Sequence, residues 1–313
     1  MLKDLFPSYF YEYLTKTPIE KINEIRLRNN KKVVITISNK SYYLSKLGLT
    51  GSVDKAITAD RDLINDIVKR GCEGSVYAYA NQLKNGFLTT SGGIRIGLSG
   101  EGVYEKNNIK TLKNFNSLVI RIPHQIVGCS KMALPYLFED KFLNTLIVSP
   151  PGCGKTTFIR DIIYQLSALE YCYNILLVDE RGEIANCFDG SPNLDTGNFC
   201  DVLSNTSKQY AFENGIRALN PDIIATDELS SITDYESVFK ASNCGVSILA
   251  SIHAKNIEDL KIKKDFELLL KNKVFKRIIV LSKKEGPGTL EAIYDENLRI
   301  IDILWKLFYW LLL

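Results

Sequence analysis

The sequence lacks the features that mark several classes of protein. Its seven cysteines form no Cys-x-x-Cys pair and are odd in number, so neither a zinc site nor a disulfide framework is indicated. Basic and acidic residues nearly cancel, at 39 against 36, so bulk charge favours neither nucleic acid nor a polyanion as partner. Internal repeats and low-complexity linkers are also missing. We therefore expect a folded protein with reduced thiols, as in the cytosol.

Long hydrophobic runs are missing as well. The first residues show no basic segment followed by an apolar stretch and a small-residue cleavage site, so we expect no secretory signal. Residues 303–313 read ILWKLFYWLLL, but a membrane-spanning helix needs about 20 apolar residues. This tail has three interpretations: an interfacial helix with aromatic anchors, a terminal helix docked on the core or on a neighbouring subunit, or an end altered by truncation or frameshift.

Length and composition are sufficient for two domains. A chain of 313 residues with 45% hydrophobic and 24% charged residues falls in the soluble globular class. We predict an N-terminal domain over 1–125, a second domain over 126–298 and an apolar tail over 299–313. The N-terminal domain has an α+β pattern. Its predicted elements are strands at 24–28 and 32–37, a helix at 60–70, and a hairpin at 86–97 that turns at Gly92-Gly93.

The second domain has a different rhythm. From about Lys141, short apolar strands alternate with helical stretches, which is typical of a mainly parallel sheet with helices on both faces. The predicted strands are 143–149, 174–178, 222–226, 246–252, 277–281 and 289–293. Residues 156–166 have the apolar spacing of an amphipathic helix, and Thr233 with Glu236 predicts a capping box for another.

A phosphate-binding loop is predicted between the first of these strands and helix 156–166. Ser149-Pro-Pro-Gly-Cys-Gly-Lys-Thr156 ends in Gly-Lys-Thr, and strand before with helix after is the context of a P-loop. Its glycines turn backbone N–H groups toward phosphate oxygens at a helix N-terminus. The alternative is a structural glycine turn with a solvated lysine. The predicted nucleotide-binding residues are Ser149, Pro150, Pro151, Gly152, Cys153, Gly154, Lys155, Thr156 and Thr157.

Polar side chains follow three later strands. Asp179 and Glu180 come after one buried strand, Asp227 and Glu228 after a second, and His253 ends a third. Ligands bind at the carboxyl ends of the strands in open α/β sheets, so we expect these groups to face one phosphate site. A P-loop enzyme needs such carboxylates to hold magnesium and to orient the attacking water. The plainer alternative is that they are solvated loop residues or helix caps.

These motifs, in this order, resemble the secretion-type ATPases of type II and type IV secretion and pilus assembly. Residues 217–228 look like the Walker B region of those motors, residues 179–183 like their acidic box, and His253 like their histidine box. The resemblance implies an α/β fold with a C-terminal RecA-like P-loop ATPase domain behind the smaller N-terminal one. It also implies a homo-oligomeric, hexameric ring.

The chain also resembles the stage III sporulation protein AA family of endospore-forming bacteria over nearly its whole length. The matching segments are 24–28 (EIRLR), 75–79 (SVYAY), 92–97 (GGIRIG), 149–156 (SPPGCGKT), 178–181 (VDER) and 286–291 (GPGTLE). This implies an ATPase that powers a channel complex of membrane-embedded proteins between mother cell and forespore, at the cytoplasmic face on the mother-cell side. The apolar tail matches nothing in that family.

Residue roles follow from this chemistry and the resemblance together. We expect Lys155 to hold ATP, Thr156 and Asp227 to position Mg²⁺, and Glu228 to orient water. Asp179 and Glu180 are expected to bind magnesium or water and to report the nucleotide state, and His253 to contact the γ-phosphate. Motors of this class complete the site with an arginine from a neighbouring subunit. The candidates are Arg95 and Arg121, with Arg26 and Arg28 behind them.

Two other functions remain open from the sequence. A RecA-like DNA-dependent ATPase would need a basic, aromatic strand-binding surface, for which the near-neutral charge gives little support. No specific nucleic acid is therefore expected as a partner. A nucleotide-stabilised structural ring with little turnover is the other hypothesis, and Glu228 argues against it. The preference for ATP over GTP rests on the resemblance alone.

Overall fold

The computed structural model describes residues 2–38, 40–75, 77–105, 108–169 and 172–302. Of the predicted tail 299–313, residues 303–313 lie outside the described residues, whereas Ile300–Ile301 form a short strand. The chain divides into two compact units, the first made of the residues up to His124 together with Phe188–Asn193, and the second of Gln125–Cys187 and the residues from Leu194 onward. Within the described ranges, every helix is too short or too polar to cross a membrane.

The first unit is built on an antiparallel sheet with strand order β5-β4-β3-β1-β9-β8-β7, and β2 pairs separately with β6. Its strands are β1 (Ile22–Arg28), β2 (Lys31–Lys32), β3 (Val34–Ile37), β4 (Lys40–Ser45), β5 (Gly48–Thr50), β6 (Thr58–Ala59), β7 (Phe87–Thr89), β8 (Arg95–Glu105) and β9 (Asn108–Arg121). Its helices are α1 (Leu2–Leu5), α2 (Ser8–Thr15), α3 (Arg61–Gly71) and α4 (Ala80–Lys84).

The sequence pattern explains which face of this sheet is covered. Ile25 and Leu27 of β1 alternate with polar residues and are fully buried, as are Ile64 and Ile67 of α3. All four belong to one apolar core. Burying each of these side chains contributes about 1.5–3 kcal/mol. Helix α3 begins where predicted, because the side chain of Asp60 accepts the N–H of Leu63.

The second unit is a mainly parallel sheet with strand order β12-β11-β13-β14-β10-β15-β16-β17, in which β15, β16 and β17 pair antiparallel. Its strands are β10 (Thr145–Ser149), β11 (Ile175–Asp179), β12 (Cys200–Ser204), β13 (Ile223–Glu228), β14 (Ser247–His253), β15 (Arg277–Ser282), β16 (Thr289–Asp295) and β17 (Ile300–Ile301). Its helices are α5 (Lys155–Leu166), α6 (Lys208–Leu219), α7 (Ile232–Asn243), α8 (Ile257–Ile262) and α9 (Glu267–Lys271).

Both faces of the second sheet are buried. Leu146 of β10 belongs to an apolar core that includes residues of α6 and α7, whereas the next residue, Ile147, belongs to the core packed by α5. Successive side chains of a strand point to opposite faces, so a strand covered on both sides is apolar throughout. The predicted α/β class and the predicted strands of this unit are confirmed.

The predicted capping box at the start of α7 is wrong. Helix α7 begins two residues earlier than predicted, with Ser231 as its N-cap: the Ser231 hydroxyl accepts the N–H of Asp234, and the Asp234 carboxylate accepts the N–H of Ser231 at 3.1 Å. Ser231 and Asp234 have the same spacing as Thr233 and Glu236, so spacing alone does not choose between the two pairs.

Candidate nucleotide-binding site

The P-loop connects the buried end of β10 to the first turn of α5. Helix α5 begins at Lys155, and its N-cap is Gly154, which has a left-handed backbone with φ of 87°. Gly152 also has a positive φ, of 69°. The first amides of a helix have no intrahelical acceptor, and they point at the space in front of the N-terminus. This loop therefore presents backbone donors to an anion.

A second loop closes against the P-loop. The N–H of Gly288, in the turn between β15 and β16, donates to the carbonyl oxygen of Cys153 at 2.7 Å. A Cβ atom placed on Gly154 would lie 2.9 Å from the backbone nitrogen of Gly288. Glycine is thus required at 154 both by its φ and by this close approach. The Gly286-Pro-Gly288 segment, which the sequence marked only by family resemblance, lies directly on the P-loop.

Three functional groups form a chain of contacts beside this loop. The Lys155 ammonium lies 2.6 Å from His253 Nδ1 and 3.3 Å from the carbonyl oxygen of Ser149. His253 Nε2 lies 2.9 Å from Glu228 Oε2. An ammonium can only donate, so Nδ1 accepts, and Nε2 carries the hydrogen that is donated to Glu228. Burial lowers the pKa of Lys155, and the charge of Glu228 opposes that shift.

Strand register explains why these groups meet. Ser149 of β10 is paired with His253 of β14, and Ser251 of β14 with Glu228 of β13. All three strands are parallel, so their carboxyl ends lie at one edge of the sheet. Arg181, in the loop after β11, also reaches this edge, where its guanidinium lies 3.2 Å from Glu228.

Asp227 lies beside the contacts between Lys155, His253 and Glu228 but has a different partner. Its side chain is 8% exposed, and its Oδ1 lies 2.8 Å from the ammonium of Lys208, which also contacts Glu180. Its Oδ2 accepts the N–H of Arg181 at 3.3 Å. Burial would lower the pKa of Lys208, but hydrogen bonds to Asp227 and Glu180 outweigh it and raise that pKa. Lys208 is therefore a charged lysine inside the protein.

Asp179 fixes the loop that follows β11. It is fully buried, and its carboxylate accepts the N–H groups of Glu183, Ile184 and Ala185 at 2.9–3.1 Å. From the other side, the Arg160 guanidinium of α5 donates to the carbonyl oxygens of Glu183 and Ile184. Both oxygens of Asp179 are thus engaged by backbone amides, which is the arrangement of a loop-fixing group and not of an open metal ligand.

A cavity of about 370 Å³ unites most of the predicted residues. Among the nucleotide-binding and catalytic candidates, Pro151, Gly152, Gly154, Lys155, Thr156, Thr157, Asp227, Glu228 and His253 line it. Asp179 and Glu180 are not among its lining residues, and Ser149 is fully buried beneath the loop. Arg95 and Arg121 belong to the first unit.

The lining residues fit a nucleoside triphosphate with Mg²⁺. They combine a helix N-terminus and an ammonium for phosphates with a hydroxyl and carboxylates for a hard cation. In the described part of the chain, no three His, Cys, Asp or Glu side chains are placed to hold a metal ion by themselves. In nucleotide sites, Mg²⁺ is usually held by one or two protein groups together with substrate phosphates.

Comparison with known families and proteins bears on these motifs. Residues 11–301 match the model of the family described as sporulation stage III, protein AA. Stage III sporulation protein AA of Bacillus subtilis (strain 168) is 32% identical over 308 residues, which cover 96% of this chain and 96% of the relative. The chain belongs to the sporulation stage III protein AA family. The family resemblance predicted from the sequence is confirmed.

Solved structures extend the comparison to the fold of this member of the stage III AA family. The ATPase DotB of Legionella pneumophila is similar with a TM-score of 0.60 at 10% identity, covering 88% of this chain and 76% of DotB. The pilus retraction motor PilT with bound ADP has a TM-score of 0.60 at 16% identity, covering 94% of this chain and 84% of PilT. At such low identities the similarity shows the fold alone, which this chain shares with DotB and PilT.

The family segment GGIRIG contributes to an arginine-rich face of the first unit. Arg95 of β8 is paired across the sheet with Arg121 of β9, and Arg121 with Glu24 of β1. Arg26 lies 2.9 Å from Glu24, and the Arg95 guanidinium sits 4.8 Å from the ring centre of Phe87. The side chains of Arg26, Arg95 and Arg121 line a depression of about 450 Å³. Arg28 is not part of its lining.

No individual role was predicted from the sequence for three charged residues of the second unit: Lys208, Arg160 and Arg181, the last of which stands in the matching segment 178–181. Two of them carried a local signal. Lys208 is the first residue of a helix, where a positive charge opposes the helix dipole, so such a lysine needs a partner. Arg160 follows two apolar residues of a helix whose buried face it shares. Neither signal identifies the partner, which lies far away in sequence.

Proposed function

We propose that the chain is a Mg²⁺-dependent ATPase that works as a ring and drives a membrane channel complex during sporulation. The observation that supports ATPase activity best is the chain of contacts from Lys155 through His253 to Glu228. It joins a phosphate-binding ammonium to a carboxylate at the position where P-loop enzymes orient water. The fold of the secretion ATPases and the family membership support the rest.

In the proposed reaction, the amides of the P-loop and Lys155 bind the β- and γ-phosphates. Glu228 accepts a proton from water, the water oxygen attacks the γ-phosphorus, and the bond to the bridging oxygen breaks to give ADP and phosphate. Bound Mg²⁺ supplies charge neutralisation on the phosphate oxygens, and Thr156 and Asp227 would hold it. Asp179 enters through the loop that it fixes and not as a metal ligand.

His253 couples phosphate binding to Glu228 in this proposal. A triphosphate draws the Lys155 ammonium toward itself and releases Nδ1. Released from Lys155, the imidazole ring lies between the γ-phosphate on one side and Glu228 on the other. The attacking water is then oriented only when a γ-phosphate is present.

The arginine-rich face of the first unit is the basis for proposing an oligomeric ring of subunits. A cation delivered to a neighbour's γ-phosphate stabilises the charge that develops during transfer. Arg95 and Arg121 are the candidates, because both line the depression and neither is buried. By analogy with the secretion ATPases, we propose a hexamer at the cytoplasmic face of the membrane on the mother-cell side, with membrane-embedded channel proteins as partners.

The experiment is Mg²⁺-dependent phosphate release from ATP by the full chain across a protein concentration series, beside Lys155→Ala and Glu228→Gln. We expect turnover that rises cooperatively with concentration and disappears in both variants. Tight ATP binding without phosphate release at any protein concentration would refute the proposed ATPase activity and would leave the nucleotide-stabilised structural ring as the explanation. Turnover that requires single-stranded DNA would favour the RecA-like alternative.

A mixing experiment tests the shared site. Arg95→Ala and Lys155→Ala place their defects in different sites if Arg95 acts on a neighbour, so mixed rings should regain part of the wild-type rate. Lys155→Ala mixed with Glu228→Gln is the matched control, because both defects then lie in the same site and no recovery is expected. Equal rates in the two mixtures would exclude Arg95, and Arg121→Ala would be tested in the same way.

A further inference from the structure

Lys208 is a deeply buried cation beside the candidate site. Only 2% of its side chain is exposed, although it begins α6, and its ammonium lies 2.5 Å from Glu180 Oε2 and 2.8 Å from Asp227 Oδ1. The side chain of Ser207 caps the same helix by accepting the N–H of Tyr210. The lysine is therefore held by its helix at one end and by two carboxylates at the other.

These two carboxylates come from different parts of the sheet. Glu180 directly follows β11, while Asp227 lies within β13. The strands are paired in parallel, from Ile175 with Ile223 to Val178 with Thr226. Lys208 thus connects Glu180, in the loop after β11, to β13, the strand that supplies both Asp227 and Glu228. A shift of the ammonium would move both carboxylates.

Lys208 also changes the net charge of the group that it forms with the two carboxylates. Two carboxylates that share one cation carry a net charge of −1, and without the lysine they would carry −2. A pair of carboxylates with open oxygens is the type of ligand set that divalent cations bind. Asp227 Oδ1 and Glu180 Oε2 instead face the Lys208 ammonium.

We propose that Lys208 is a positioning residue of the ATPase site: it fixes Asp227 and Glu180 and prevents them from binding a divalent cation before nucleotide arrives. Thr156 and Asp227 would then hold magnesium only when the phosphates are also present. This inference rests on the proposed function for its purpose. Its first test, however, needs neither nucleotide nor turnover.

The first test is Mn²⁺ binding to the full chain without nucleotide, followed by the electron paramagnetic resonance signal of free Mn²⁺. In Lys208→Ala the lysine stem is also removed, which leaves room for a hydrated ion. We expect one Mn²⁺ per chain, bound roughly tenfold or more tightly than by wild type, because a nearby positive charge has been removed. Adding Asp227→Asn to Lys208→Ala should abolish that binding.

Lys284→Met is the matched control. Lys284 also pairs with a carboxylate, at 2.6 Å from Glu291, but it is 75% exposed and its partner is neither Asp227 nor Glu180. Its loss should leave Mn²⁺ binding as in wild type. Equal Mn²⁺ affinity in folded Lys208→Ala, Lys284→Met and wild type would overturn the proposal.

A second variant decides the matter if Lys208→Ala does not fold. Lys208→Arg keeps the charge but places a larger, planar group between the carboxylates. We expect it to raise by several-fold the Mg²⁺ concentration that half-saturates binding of a fluorescent ADP analogue, with unchanged affinity for the analogue in EDTA. An unchanged Mg²⁺ half-point would refute the positioning role, whereas loss of affinity in EDTA as well would mean that the lysine is only structural.

The two proposals fail separately. A wild-type protein that binds ATP but never hydrolyses it would refute the proposed ATPase activity. The comparison of Mn²⁺ affinities would still be interpretable. Hydrolysis by wild type together with an unaltered Mn²⁺ affinity in folded Lys208→Ala would refute only the role of Lys208.

Discussion

Replacing Gly154 with alanine measures how closely the β15–β16 turn is packed on the P-loop. The added Cβ faces two costs. A left-handed backbone costs an L-residue about 1–2 kcal/mol. In addition, the Cβ would lie 2.9 Å from the nitrogen of Gly288 and 3.3 Å from the carbonyl carbon of Pro287. Backbone atoms cannot move aside by changing rotamer. We therefore expect this contact to lower the free energy of unfolding by a further amount of about 1–3 kcal/mol, which is typical of overpacking.

Gly245→Ala isolates the first cost. Gly245, between α7 and β14, has φ of 84°, close to the 87° of Gly154, but a Cβ there meets nothing within 4 Å. Any gain from a stiffer unfolded chain is the same at both positions. We therefore expect Gly245→Ala to lose about 1–2 kcal/mol and Gly154→Ala about 2–5 kcal/mol of unfolding free energy.

The assay is thermal unfolding followed by far-ultraviolet circular dichroism. For a unit of about 150–250 residues, each kcal/mol lowers Tm by about 2–4 °C. Gly154→Ala should therefore melt about 2–12 °C below Gly245→Ala. Equal melting temperatures would refute the close approach of the two loops and leave only the backbone conformation as the reason for glycine at 154.

Two further predictions concern the α5 helix and the thiols. Hydrogen bonds from residues 128–130 outweigh burial and lower the pKa of Asp161, so its stabilisation is complete above the unfolded pKa of about 3.9 and is lost as pH falls through the lower folded value. Asp161→Asn should thus cost about 1–3 kcal/mol in urea unfolding at pH 7, with a gap that closes below about pH 4, whereas a pH-independent gap would contradict this assignment. Native protein at pH 8 should be alkylated first at the exposed Cys172 and Cys244, because burial raises the pKa of Cys129 and of Cys200 to about 12; equal labelling by mass spectrometry would refute this order.

The central sheet could be predicted because its strands are buried on both faces. Residues 146–148 and 175–178 are continuous apolar runs, and strands covered on both faces have this pattern. Strand β12 (Cys200–Ser204) escaped prediction because it lies at the sheet edge and is only partly buried, so it has no apolar run. Edge strands receive their identity from a neighbour, here β11, and not from their own sequence.

The site was predictable to the extent that it depends on strand ends. Asp227, Glu228 and His253 lie at the carboxyl ends of recognisable strands, and parallel pairing brings strand ends together without further information. The directions of neighbouring carboxylates were not predictable. Asp179 turns to the backbone of its own loop, and Glu180 turns to Lys208, which is 28 residues away in sequence. Such choices depend on tertiary contacts that no local pattern encodes.

The route of the chain between the two units limits how the protein can be divided. Phe188–Asn193 belongs to the first unit, although Cys187 and Leu194 on either side belong to the second. Phe188 packs on the same apolar core as the strands of residues 22–121. A fragment that starts at Gln125 would carry Phe188 away from that core, and a fragment that stops at His124 would lack it. Fragments meant to preserve both cores must therefore transplant residues 188–193 as well as cut the chain near His124.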